Sequence, residues 1–152
     1  MEKLVVSACL LGCNCRYDGK NCHVEGIEKL AENYVLIPVC PEQMGGLTTP
    51  RIPAERIGDK VISREGADVT AQYQKGAQMA LQIAKINDVK CALFKSKSPS
   101  CGKGIIYDGT FTGGLKEGNG VTASIFEENG IKVYSDEQIC DFIHKSVDKS
   151  DL

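Results

Sequence analysis

No apolar run in this 152-residue sequence approaches the roughly 20 residues that a membrane-spanning helix needs. The first residues, Met1-Glu2-Lys3, lead directly into a strand-like run and do not resemble a signal peptide. We therefore expect a cytoplasmic protein without a membrane partner.

An excess of basic charge is also missing. The chain has 18 lysines and arginines against 20 aspartates and glutamates, which gives a formal net charge of -2. General nucleic-acid binders normally carry a basic stripe that neutralises phosphates. The balance argues against general nucleic-acid binding, but it leaves open a ligand the size of a nucleobase.

Histidine is scarce, whereas cysteine is abundant. The two histidines, His23 and His144, have no sequence neighbours that would form the Cys/His pair of a thiol nucleophile. The chain nevertheless has eight cysteines. Because the cytosol keeps thiols reduced, these cysteines favour a metal, a cluster or catalysis over a disulfide framework.

Apolar runs alternate with amphipathic segments along the chain. We predict strands at 3–8, 34–39, 91–94 and 131–134, and helices at 25–33, 68–88, 121–128 and 135–144. This order predicts an α/β fold of the Rossmann or flavodoxin type. It would be a single three-layer domain, 1–152, with a mostly parallel sheet of roughly four to five strands and helices on both faces.

Three other segments break this pattern. The segment 41–55 contains three prolines and two adjacent glycines, and it predicts a long, irregular and functional loop. The segment 59–63 predicts a short edge strand or hairpin. The glycine-rich segment 105–114 predicts a small hairpin over the functional site.

Three of the predicted strands each deliver one cysteine near the carboxyl end, namely Cys9, Cys40 and Cys101. Ligands of open parallel sheets bind at this edge. The three cysteines are too far apart in sequence for a zinc finger or a ferredoxin motif. They predict a dispersed site for zinc or an iron–sulfur cluster, against the alternative of three unrelated buried cysteines.

The loop Lys97-Ser98-Pro99-Ser100-Cys101-Gly102 is the most informative of the three. A cysteine in a tight turn would have free backbone N–H groups around its sulfur, and these would stabilise a thiolate. Ser98 and Ser100 either donate to a ligand or serve the turn itself.

Charged residues in the neighbouring loops are further candidates. Glu42 follows Cys40 by two residues and can act as a general acid or base, or can pair with Arg51. Arg16 and Arg51 can bind a substrate oxygen, or can form structural ion pairs with Asp18 and Glu55. Additional thiols close to Cys9 are either spare or an alternative fourth ligand: Cys13, Cys15 and Cys22.

Five motifs occur in order along the chain: Ser7-Ala8-Cys9-Leu10-Leu11-Gly12, Cys15-Arg16-Tyr17-Asp18-Gly19, Val39-Cys40-Pro41-Glu42-Gln43-Met44-Gly45-Gly46-Leu47, Pro50-Arg51-Ile52-Pro53-Ala54-Glu55 and Lys97-Ser98-Pro99-Ser100-Cys101-Gly102. Together they resemble the bacterial thiouracil desulfurase family, long labelled as a domain of unknown function. The resemblance covers nearly the whole chain.

The resemblance implies a [4Fe–4S] cluster held by Cys9, Cys40 and Cys101, with the fourth iron open. It implies that this iron takes the sulfur of a thiocarbonyl such as thiouracil. Water then attacks the carbon, and sulfur leaves as hydrogen sulfide without a redox change. Glu42 would be the acid or base, and a serine of 98–100 would assist.

Two other functions remain as alternatives at this point. One is a protein that carries sulfide or persulfide on the cluster, and the other is a zinc-binding structural domain. A fourth thiolate from Cys13 or Cys15 would close the open iron. The sequence also leaves open the physiological substrate and a homo-oligomer.

Overall fold

The computed structural model describes residues 1–139. The strands and helices lie in the following order: β1 (Glu2–Ser7), β2 (Tyr34–Val39), α1 (Pro41–Met44), β3 (Ala54–Ile57), β4 (Lys60–Ser63), α2 (Thr70–Ile86), β5 (Cys91–Phe94), β6 (Ile105–Tyr107), β7 (Leu115–Glu117), α3 (Val121–Glu128) and β8 (Lys132–Ser135). Short 3-10 helices occupy Ala8–Leu11, Ile27–Glu32 and Asp136–Gln138.

The central sheet has four parallel strands in the order β2-β1-β5-β8. The chain moves outward from β1 to β2 and then crosses back to β5 on the other side of β1. This reversal of direction is the topological switch point of a doubly wound sheet, where ligands bind at the carboxyl ends of the strands. The structure confirms the predicted α/β fold and its parallel sheet.

The two faces of the sheet are covered differently. On one face, α2 and α3 pack against Val5, Ala92 and Phe94 of the sheet. On the other face, 3-10 helices supply Leu10 and Ile27, together with other apolar side chains. The two longest helices among residues 1–139, α2 and α3, therefore lie on the same face of the sheet.

Helix α2 follows the predicted spacing. Its buried residues recur at steps of three and four: Tyr73, Gly76, Ala77, Ala80, Leu81 and Ala84. The carboxylate of Asp68 accepts the backbone N–H of Thr70 at 2.9 Å, which satisfies one of the unpaired donors at the start of the helix.

Several elements differ from their predicted form. The predicted helix at 25–33 is a 3-10 helix over Ile27–Glu32, which starts after Gly26 in a left-handed conformation. The predicted irregular loop at 41–55 contains α1, which begins with Pro41 at its first helical position. The part of the predicted last helix beyond residue 139 lies outside the described residues.

Two antiparallel hairpins complete the described fold. In the first, β3 pairs with β4. Strand β4 lies in the segment 59–63, for which an edge strand or a hairpin is predicted. The second is β6–β7, which confirms the hairpin predicted from residue 105. Between residues 1 and 139, no helix is both long enough and apolar enough to cross a membrane.

Candidate active site

One cavity of about 420 Å³ is lined by all eight residues predicted as catalytic, cluster-binding or substrate-binding: Cys9, Arg16, Cys40, Glu42, Arg51, Ser98, Ser100 and Cys101. This volume is in the range of ordinary small-molecule sites. The thiols among them follow three of the four parallel strands: Cys9 follows β1, Cys40 follows β2 and Cys101 follows β5. The cavity therefore opens at the carboxyl edge of the sheet, as the strand-end positions of the cysteines predict.

Cys15 lies close to both Cys9 and Cys40 in the cavity wall. The Cys15 thiol is in hydrogen-bond contact with both Cys9 and Cys40. The Cys40 thiol also donates to the backbone carbonyl of Cys15 at 3.8 Å. The Cys40 contact acts to lower the pKa of Cys15, but the Cys9 contact and burial outweigh it, and the pKa rises to about 11. Contact with Cys15, then burial, raises the pKa of Cys40.

Cys101 lies in the apolar core beside Phe94 and Phe126. Burial raises the pKa of its thiol to about 12, although hydrogen bonds with Ser7 and Ser100 act in the opposite direction. A thiol of this kind gives up its proton when it binds a metal centre, which then supplies the compensating positive charge.

The prediction of free N–H groups around Cys101 is wrong. The Ser98 hydroxyl accepts the backbone N–H of Ser100 at 3.1 Å and that of Cys101 at 3.0 Å. The Ser98 carbonyl accepts the N–H of Gly102 at 2.9 Å. These donors are used to close the turn, because serine side chains readily bond backbone N–H groups two and three residues ahead.

The two serines of this turn have different surroundings. The Ser100 hydroxyl is buried and lies 2.7 Å from the hydroxyl of Thr122. The Ser98 hydroxyl only accepts in its contacts within the turn, so its own proton remains available for a ligand in the cavity. Of the two, Ser98 is therefore better placed to assist a reaction.

Glu42 is held on both carboxylate oxygens. The Arg51 guanidinium donates to Oε2 at 2.5 Å, and the Tyr73 hydroxyl donates to Oε1. Arg51 and Tyr73 are both almost completely buried, with side-chain exposure of 6% for Arg51 and overall exposure of 3% for Tyr73. Burial and the charge of Glu42 raise the pKa of the Tyr73 phenol, so it remains a proton donor.

Glycines bring Tyr73 to Glu42. A Cβ atom on Gly76 of α2 would lie 1.7 Å from the carbonyl oxygen of Pro41, and a Cβ on Gly45 would lie 1.9 Å from that of Gln72. Any side chain at either position would force α1 and α2 apart. The short helix that carries Glu42 can therefore approach the long helix that carries Tyr73.

The two predicted arginines have different roles in the structure. Besides Glu42, Arg51 donates to the Cys15 carbonyl at 2.8 Å and to the Thr49 hydroxyl at 3.0 Å. Its partner is Glu42, not Glu55. These contacts favour a positioning role, and direct substrate binding by Arg51 stays a prediction.

Arg16 is more open. It forms the predicted ion pair with Asp18, at 3.5 Å, and its guanidinium lies over the ring of Tyr17, 5.2 Å from the ring centroid. Its side chain is 40% exposed, so it remains available to a ligand at the mouth of the cavity.

Two residues of this site have roles that the sequence does not reveal. Tyr73 is predicted only as part of the buried face of α2, since nothing in the local sequence relates it to Glu42. Cys13 and Cys15 are equal candidates in the sequence, whereas the structure separates them. Cys15 is buried in the cavity wall, and Cys13 is exposed and is absent from that wall.

The donor set fits a cluster. Cys9, Cys40 and Cys101 are free thiols that line one cavity, and thiolate is the ligand that iron–sulfur clusters take. Within residues 1–139, no group of three or more histidine, cysteine, aspartate or glutamate side chains could hold a metal ion. A cluster is larger than a single ion, so its ligands stand farther apart.

The fold and the site define a class of protein, an α/β domain with a thiol-lined cavity at the switch point of a doubly wound sheet. The sequence model of the family described as 2-thiouracil desulfurase matches residues 4–138. The chain therefore belongs to the 2-thiouracil desulfurase family.

Two individual proteins are similar over nearly their whole length. The uncharacterised protein YbbK of Bacillus subtilis (strain 168) is 39% identical over 150 residues, which cover 92% of this chain and 99% of YbbK. A solved structure of the [4Fe-4S]-dependent thiouracil desulfidase TudS is 43% identical and superposes with a TM-score of 0.88. The matched region covers 93% of this chain and 95% of the TudS chain.

Proposed function

We propose that this protein is a [4Fe–4S]-dependent desulfurase. It removes sulfur from a thiolated nucleobase such as thiouracil by hydrolysis of the carbon–sulfur bond. The observation that carries the proposal is one cavity with two kinds of group. The strand-end thiols Cys9, Cys40 and Cys101 line it together with a carboxylate, Glu42, that two buried side chains hold in place.

Cys9, Cys40 and Cys101 would hold the cluster. With three cysteine ligands, a [4Fe–4S] cluster supplies one iron without a protein ligand, a Lewis acid that can polarise a thiocarbonyl. The similarity to TudS, described as [4Fe-4S]-dependent, supports this cofactor.

Glu42 would be the general base. In the hydrolysis, a water oxygen forms a bond to the thiocarbonyl carbon and loses a proton to the carboxylate. Both donors to Glu42 come from the buried protein, so the carboxylate does not have to reorganise when substrate arrives. Each of its oxygens still has a lone pair for a water molecule.

Ser98 would donate a hydrogen bond to the substrate. Its hydroxyl accepts two N–H groups from its own turn, which fixes its position while its proton stays free. When the carbon–sulfur bond breaks, its electron pair leaves with sulfur. The proton held by Glu42 returns to the products, so thiouracil and water give uracil and hydrogen sulfide with no net electron transfer.

Turnover by the reconstituted protein tests the proposal. Protein purified and reconstituted without oxygen is expected to convert thiouracil to uracil and to release one hydrogen sulfide per uracil. The loss of thiouracil absorbance measures the substrate consumed, and a sulfide assay measures the hydrogen sulfide released. A cluster-loaded protein that leaves thiouracil and its nucleosides unchanged would reject the desulfurase and favour a sulfide or persulfide carrier.

The zinc-binding alternative has no support among residues 1–139, where no group of side chains suits a single ion. The carrier alternative gives no reason for the double restraint on Glu42. Cytoplasmic location, a single domain over residues 1–152 and the absence of nucleic-acid and membrane partners stay predictions from the sequence.

A further inference from the structure

Part of the cavity lining comes from the loop between β6 and β7. Phe111 in this loop lines the cavity. Its backbone is left-handed, with a φ of 58°. A bulky residue rarely adopts this conformation, which costs free energy unless its surroundings impose it.

A buried carboxylate imposes the conformation. Glu55 of β3 is only 8% exposed, and its Oε1 accepts the backbone N–H of Gly109 at 2.9 Å and that of Phe111 at 3.1 Å. Within residues 1–139, no lysine, arginine or histidine forms an ion pair with Glu55. This buried carboxyl group is therefore used to fix the backbone of one loop, and the proposed reaction makes no use of it.

One face of the Phe111 ring is covered, which leaves the opposite face for a ligand. The guanidinium carbon of Arg64 lies over the ring, 5.8 Å from the ring centroid. Gly109 approaches β3 so closely that a Cβ atom there would lie 2.6 Å from the side chain of Ile57. The loop thus holds an aromatic ring against the cavity before any ligand binds.

We infer that Phe111 is the stacking surface for the ring of the substrate, and that Glu55 is the positioning residue that orients it. An aromatic side chain with two rotatable bonds, on a backbone that is already fixed, suits a planar heteroaromatic ring. The inference rests on the proposed function, and it names the residue that selects a pyrimidine over other thiocarbonyl compounds. Tyr17 and Tyr107 also line the cavity, but within residues 1–139 no carboxylate accepts a hydrogen bond from the backbone N–H of either.

Binding of uracil tests the inference separately from turnover, because uracil has no sulfur to bind iron. The reconstituted protein is titrated with uracil by calorimetry, and the KM for thiouracil is measured in parallel. Stacking of a base on an aromatic ring is strong enough that Phe111→Leu is expected to weaken uracil binding about tenfold. The KM is expected to rise more than kcat falls.

Matched variants distinguish stacking from folding. Phe111→Tyr is expected to bind uracil as the wild type does. Phe111→Gly relieves the left-handed backbone, so it is expected to unfold at the same or a higher temperature and yet to lose uracil binding. Glu55→Ala is expected to weaken binding as Phe111→Leu does, whereas Glu55→Gln keeps an accepting oxygen and retains binding. Leu115→Ala, on the exposed side of the hairpin, is the control that leaves KM unchanged.

Two results would overturn the inference. If Phe111→Gly binds uracil as tightly as the wild type, the ring is not the stacking surface, although thiouracil turnover would leave the proposed function standing. If the wild type binds neither uracil nor thiouracil, both the inference and the proposed function fail.

Discussion

The two sides of the cavity that would handle protons in the proposed reaction are built in different ways. On one side, Ser98 holds the Cys101 turn through hydrogen bonds to residues two and three positions ahead. On the other, Glu42 depends on Arg51 and on Tyr73, which lies 31 residues away along the chain. The serine side is local, and the glutamate side depends on the packing of two helices.

This difference determines where each side is vulnerable. The Ser98 turn should respond only to changes within itself. Glu42 should respond to changes that never touch the substrate, such as a side chain added between α1 and α2. Catalytic groups held by distant contacts are precisely positioned, because several elements restrain them. A change in any one of those elements can, however, displace the group.

The largest effect is expected for Glu42→Gln. The amide keeps the size of the side chain but cannot take a proton, so kcat should fall by about two to four orders of magnitude. Iron and sulfide content should remain that of the wild type, because Glu42 is not a proposed ligand. Steady-state turnover of thiouracil with metal analysis of the same samples measures both. A variant with full turnover would remove Glu42 from the reaction.

Gly76→Ala should damage the glutamate side from a distance. Its methyl group would collide with the Pro41 carbonyl, and overpacking of this kind costs about 1–3 kcal/mol or more. We expect a lower unfolding temperature and a reduced kcat in the folded fraction. Gln78→Ala, on the exposed face of the same helix, is the control and should change neither. Equal behaviour of the two variants would mean that the close approach of the helices is dispensable.

Tyr73→Phe should have a smaller effect than Glu42→Gln. It deletes one hydroxyl and leaves Arg51 in place, so the carboxylate keeps one of its two restraints. A fall in kcat of about tenfold is expected, with little change in KM, because only the positioning of the reacting group is impaired. An increase in KM alone would instead indicate that Tyr73 binds the substrate.

The serine pair should show the smallest effects and should separate function from stability. Ser98→Ala removes the available hydroxyl proton and should lower kcat. Ser100→Ala removes a buried hydrogen bond to Thr122, so it should lower stability by about 1 kcal/mol with little change in kcat. Thermal unfolding and turnover of both variants check the assignment. The reverse pattern would transfer the catalytic role to Ser100.

The sequence predicted the sheet because apolar runs and turn residues act locally, and the position of Cys9, Cys40 and Cys101 followed from the parallel topology. The contact between Tyr73 and Glu42 could not be predicted, because it depends on how closely two helices pack at Gly45 and Gly76. The turn at Ser98 was predicted, with serine turn chemistry as one of two alternatives, but the N–H groups of the turn were expected to face the Cys101 sulfur, whereas the Ser98 hydroxyl accepts two of them.

The central claim is that the three strand-end thiols hold the cluster without help from the neighbouring ones. Iron and acid-labile sulfide, measured on oxygen-free wild-type protein and on serine variants of five cysteines, test it most directly. We predict about four irons and four sulfides per chain in the wild type, Cys13→Ser and Cys15→Ser, and loss of the cluster in Cys9→Ser, Cys40→Ser and Cys101→Ser. A cluster that disappears in Cys15→Ser but survives in Cys101→Ser would contradict the account.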